Sequence, residues 1–136
     1  MGQQQLLLIV LGVIIVGIAV VVGINLFNAN AEESAKDSLV SEGTNLGAMA
    51  QQFYKKPVAL GGGGNSFDAS NGATAPFTVP TSLATSSVGE GTWTASAQSK
   101  INCTITFAPG TNFPYTSITN CKVTVSPTTI ISKING

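Results

Sequence analysis

The chain has 136 residues, enough for one small domain and an appendage, and its formal charge is zero, with no histidine. Charged residues make up 9% of it, against roughly 25% in ordinary soluble domains, and its lysines are scattered, so no basic face for nucleic acid is evident. Histidine, the commonest general base and metal ligand, is missing, and Cys103 and Cys121 are too few for a thiolate zinc site, so no catalytic residue, cofactor or metal is expected.

The first element is an uncharged run from Leu6 to Ile24, LLLIVLGVIIVGIAVVVGI. At about 1.5 Å per residue such a helix crosses the ~30 Å hydrocarbon layer. A cleavable signal would carry a basic start and a shorter apolar core before small residues. Nothing basic precedes this run, and no Ala-x-Ala follows it directly, so the run is assigned to the working protein. Its Val and Ile weaken a helix in water, but in lipid the backbone must bond internally and helix prevails. The apolar residues that would make membrane or subunit contacts are Leu6, Leu7, Leu8, Ile9, Val10, Leu11, Val13, Ile14, Ile15, Val16, Ile18, Val20, Val21, Val22 and Ile24.

From Asn25 the chain turns polar but keeps a helical period. Phe27, Ala31, Ala35, Leu39, Leu46, Met49, Ala50 and Phe53 form one stripe, and Glu32, Glu33, Asp37 and Glu42 fall mostly off it. No proline occurs before Pro57, and Lys55 and Lys56 suit a last helical turn. One helix is therefore expected over about residues 4–56, with Gly43 and Gly47 as its weakest points.

GGGGNS and SNG within residues 57–75 read as a flexible connection. Beyond it, a head over residues 76–136 is rich in Thr, Ser, Val, Ile and aromatics, which favour strands. Strands are expected near 77–79, 91–97, 100–107, 121–125 and 129–133. Ile101, Cys103, Ile105 and Phe107 alternate with polar residues, as do Cys121, Val123 and Val125, so both cysteines face inward. Two cysteines in a small domain behind an apolar segment read as one disulfide formed in an oxidising compartment; two reduced core thiols are the alternative. The expected fold is α+β: a long N-terminal helix with its apolar half protruding and its amphipathic half packed on a small antiparallel sheet.

This layout resembles the type IV pilins: an apolar half-helix over residues 1–24, an amphipathic continuation over 25–56, a glycine-rich connection and a strand-rich end. The resemblance implies a subunit stored in the inner membrane, processed by a prepilin peptidase with methylation of the new N-terminus, and extracted by assembly machinery. It would then polymerise with copies of itself into an extracellular filament. The chain departs from the family at its start, where MGQQQLLLIV stands in place of the usual Phe-Thr-Leu-Ile-Glu opening. Met1 is expected to begin a processed chain and to be the methylation candidate, with cleavage after Gly2 as the alternative. Gln5 then occupies the position of the family's glutamate, where an amide can hydrogen-bond a neighbour's terminal amine more weakly than a carboxylate does.

Two rivals share much of this pattern: a pseudopilin of a secretion system and a single-pass, membrane-anchored binding domain. Calcium-holding carboxylates would suit the first, but outside the helix the only acids are Asp68 and Glu90. The second has no need of an amphipathic helix extending far past the bilayer. GGGGNS lacks the lysine of a phosphate loop.

Overall fold

The computed structural model describes residues 2–96 and 98–135. Met1, the expected processed terminus, lies outside the described residues. The architecture is α+β, one long N-terminal helix and a four-stranded antiparallel sheet. The helix, α1, runs Gly2–Lys55, close to the expected span, and stops just before Pro57. By contacts the chain divides into two compact units, residues 1–34 and 35–136.

The first unit is helical throughout its described residues. The second holds the core. Its strands are β1 (Gly91–Ser96), β2 (Cys103–Pro109), β3 (Asn120–Val125) and β4 (Ile130–Asn135), in the order β1-β2-β3-β4. Trp93, Ile105, Phe107, Val123 and Val125 point inward and are buried, while Thr92, Thr94, Lys122 and Lys133 point outward and are exposed. From α1 the inward face meets Ala35, Leu39, Leu46 and Ala50, all 3% exposed or less. These four belong to the later part of the predicted stripe, whose Met49 and Phe53 are half-buried against the same core. The first members of the stripe, Phe27 and Ala31, are exposed.

Gly43 and Gly47, expected as weak points, are instead where the helix backbone comes closest to the sheet. A Cβ on Gly43 would sit 2.6 Å from Val123 Cγ2 and 3.0 Å from the Trp93 ring, and one on Gly47 would sit 2.8 Å from Ile130 Cγ2. The intrinsic cost of glycine in a helix is offset by the packing it permits.

The glycine-rich stretch is likewise tied down. Gly63 N–H donates to Phe53 C=O at 2.8 Å, Gly64 N–H to Lys56 C=O at 3.0 Å and Asn65 N–H to Tyr54 C=O at 2.7 Å. These bonds satisfy carbonyls that the end of α1 leaves open. Gly61 and Gly64 have φ of +84° and +59°, and a Cβ on Gly63 would overlap Ser66 C=O. The turn delivers Phe67, fully buried, against Tyr54 with ring centroids 4.9 Å apart. What composition presents as a flexible connection closes the helix and plugs the core.

The strand at 77–79 is absent. Phe77 is nevertheless buried, bonded through its N–H to Phe67 C=O at 2.9 Å, and its own carbonyl accepts from Gln98. β2 begins at Cys103 because residues 99–102 form a turn, in which Ser99 N–H donates to Asn102 C=O at 2.7 Å. Ile101 is thereby left 58% exposed.

Candidate functional site

The most prominent chemical feature of the described surface is apolar. The fifteen large residues named between Leu6 and Ile24 are between 52% and 69% exposed. With 100° between successive residues they surround the helix axis and leave no polar side. Fully covering an aliphatic side chain is worth roughly 1.5–3 kcal/mol, so exposure of all of them to water would be opposed by a free energy on the order of tens of kcal/mol. By length and composition this is the one described helix able to cross a membrane. Gln5 lies exposed on the first turns of the same helix.

In the second unit the best-connected polar group is Glu42. It stands on α1 three residues after Leu39 and four before Leu46, hence near the covered face. Its Oε2 accepts from Ser86 Oγ at 2.7 Å and from Trp93 Nε1 at 3.0 Å. Its Oε1 accepts from Ser87 N–H at 3.0 Å and from the Ser87 hydroxyl. Partial burial pushes the carboxyl's pKa up, but the bonds from Ser87, Ser86 and Trp93 outweigh that, and the net position is below the ordinary value of 4.5. Glu42 thus fastens the segment before β1 to the helix and orients the only tryptophan. A recess of about 170 Å³ beside it, lined by Leu46, Leu83 and Thr85 among others, is smaller than the roughly 300–1,000 Å³ typical of ligand pockets. Sequence reasoning missed this anchor. Its spacing from Leu39 and Leu46 is the signal that places it on the buried side.

The two acids outside the helix also hold turns. Asp68 accepts from Ser66 Oγ at 2.5 Å and Ser70 N–H at 2.9 Å, and Glu90 accepts from Asn112 N–H at 3.1 Å. No group of three or more potential metal ligands occurs among the described residues.

The expected Cys103–Cys121 disulfide requires correction: both thiols are free and buried. They do face inward from adjacent strands, but the register pairs Cys103 with Val125 and Cys121 with Phe107. The two are four positions out of step, roughly 13 Å along the strand at ~3.3 Å per residue, whereas a disulfide needs Cα atoms about 4.4–6.8 Å apart. Face alternation shows that two residues share a side; it does not show that they are opposite. Burial pushes each thiol's pKa up to about 11, which keeps it protonated and unreactive.

Comparison with protein-family models, with curated proteins and with solved structures returns no match.

Proposed function

We propose that this chain is the structural subunit of an extracellular helical filament of the type IV pilin kind, and that its apolar helix holds it in the membrane before assembly. The observation that carries the reading is the helix at Leu6–Ile24, apolar on every side and more than half exposed along its length. A single partner helix covers one stripe of such a surface. Covering all of it takes lipid or several helices at once. A protein that leaves the bilayer for a filament needs both environments in turn, and a helix without a polar side suits both. In lipid such helices gain little by pairing, but outside lipid the same surface must be hidden from water.

The second unit supports the reading in a different way. The recess beside Glu42 is small, and Glu42, Asp68 and Glu90 are engaged in holding backbone and side chains in place. A durable, self-contained head is what an outward-facing subunit requires. Gln5 would lie at the start of the packed helices, where a neutral amide avoids the desolvation cost of a carboxylate.

Electron microscopy of material sheared from producing cells, with the chain identified by mass spectrometry, tests the proposal. Long filaments built of this chain are expected. Exclusive recovery in the membrane fraction, as single anchored copies, would overturn it in favour of a membrane-anchored domain. Short assemblies confined to the periplasm would overturn it in favour of a pseudopilin.

A further inference from the structure

The two edges of the sheet differ in what covers them. The β1 edge is closed from within the chain: Trp93 N–H donates to Ala84 C=O at 2.7 Å, Ser86 N–H donates to Gly91 C=O at 3.3 Å, and Thr85 bridges Thr92. Glu42 holds that covering segment through Ser86 and Ser87. β4, by contrast, pairs with β3 alone. Where these two strands join, Ser126 N–H donates to Thr129 C=O at 2.8 Å. Bonded and non-bonded positions alternate along an antiparallel ladder. Ile131 and Lys133 therefore bond to β3, while the N–H and C=O of Ile130, Ser132 and Ile134 point away from it. Among the described residues none of these outward groups has a hydrogen-bond partner.

An open edge is a template for a further strand. β4 suits one strand above others, its own copy. Counted outward from Ser132 it has Ile131 and Lys133, then Ile130 and Ile134. Antiparallel pairing centred on Ser132 therefore sets Ser132 against Ser132 and Ile130 against Ile134, and every open N–H and C=O of both strands is bonded. On the inward face Ile130 and Ile134, each half-buried in one copy, cover one another. On the outward face Ile131, 62% exposed, lies opposite Lys133, whose aliphatic stem can cover it. Lysine on an edge guards against stray pairing, and here it selects the register. Sliding to centre on Lys133 sets two lysines directly opposite, which is unfavourable. Sliding to centre on Ile131 carries Ile134 past the partner's β4, which begins at Ile130.

We propose that two copies of this chain pair through β4, antiparallel and centred on Ser132, so that their sheets become continuous. The contact is isologous and closes on two copies, so it does not by itself extend a filament. The inference goes beyond the filament reading and does not depend on it. Gly43 and Gly47 of α1 come closest to Val123 and to Val125 with Ile130, and Gln51 bonds Ser126 C=O, so this part of the helix runs along β3. The two-fold axis relating antiparallel strands stands perpendicular to the sheet, so these parts of the two helices run antiparallel. Detergent solution leaves the copies free to meet in that sense.

Disulfide trapping in the full-length chain, purified in detergent, tests the pairing. In this register Ile131 of one copy faces Lys133 of the other as a non-bonded pair with Cα atoms about 4.5 Å apart, within the span of a disulfide. Each of the two lies only diagonally from its own counterpart, about 7–8 Å away. Mixing Ile131→Cys with Lys133→Cys under mild oxidant is expected to give at least tenfold more linked dimer than either variant alone. Cys103 and Cys121 are buried, and the unsubstituted chain sets the background. Adding Ser132→Pro to both variants is expected to remove the excess, because the ring replaces an N–H that faces the partner and not β3. The urea midpoint followed by Trp93 emission should be unchanged by Ser132→Pro. Equal yields from the mixture and the single variants would overturn the pairing, as would an excess that survives Ser132→Pro. If Ser132→Pro unfolds the second unit, its N–H serves β3 and the pairing falls too. Each of these results leaves the filament reading as it was.

Discussion

Two stretches of one helix, residues 6–24 and 35–50, contrast in how their apolar side chains are arranged. In the first they occur at every angle around the axis and each remains more than half exposed. In the second the buried residues Ala35, Leu39, Gly43, Leu46, Gly47 and Ala50 fall on one stripe, and Glu42 at its margin is bonded to the segment before β1. A helix covered by its own chain needs only one apolar stripe, because a sheet touches one side. A helix apolar all round needs cover on every side, from lipid or from several packed elements at once. Periodicity, more than composition, separates a core element from an assembly or membrane element.

The largest effect should come from placing a charge in the first stretch. On the proposed filament reading, Val16→Asp is expected to abolish filaments, since an acid at the centre of an apolar helix costs about 2.5–3.5 kcal/mol in lipid and would have no partner among packed helices. Trp93 emission should be unaffected, because Glu42, Gly43 and Phe107, which pack on or bond to its ring, are far along the chain from Val16. Normal filaments from this variant would end the idea of a packed helical core.

The converse substitution, in the second stretch, should damage folding. Gly43→Val places a Cβ 2.6 Å from Val123 Cγ2, and overpacking of this kind costs typically about 1–3 kcal/mol. We expect urea unfolding, followed by Trp93 emission, to show a loss of about 2 kcal/mol after a small gain in helix propensity. An unchanged midpoint would mean that helix and sheet are not in close contact at this position.

Glu42→Gln probes the margin between stripe and solvent. Two of its acceptor positions become a donor facing donors, and hydrogen bonds to charged groups are worth about 1.5–3 kcal/mol. Partial exposure screens the effect, so a loss of about 1–2 kcal/mol at neutral pH is expected. The folded carboxyl titrates below its unfolded value of 4.5, so its contribution is complete above that value and disappears as pH falls through the folded pKa. The gap between wild type and Glu42→Gln should therefore narrow below pH 4.5. A gap that is constant between pH 3 and 7 would show that the charge of Glu42 is not what holds the segment.

The smallest effect is expected from reduction. With Cys103 and Cys121 out of register, a reducing agent should leave the urea midpoint unchanged within a few tenths of a kcal/mol. Thiol reagents at pH 8 should label both residues only after unfolding. A disulfide closing this loop would contribute about 3 kcal/mol, and a shift of that size on reduction would contradict the β2–β3 register.

The helix, its amphipathic stripe, the strand-rich end and the inward direction of both cysteines were all legible in the sequence. Each follows from a local period of 3.6 or 2 that the chain carries within a few residues. Three features were not legible, because each depends on which distant residues meet. Cysteine register is set by pairing along β2 and β3, which alternation leaves undetermined by any even number of positions. Gly43 and Gly61–Gly64 read as weak or flexible from composition, yet close approach to Val123 and to the end of α1 makes them fixed points. Glu42 is one acid among several on the helix until the fold brings Ser86, Ser87 and Trp93 to it, donors more than forty residues away whose convergence no local pattern encodes.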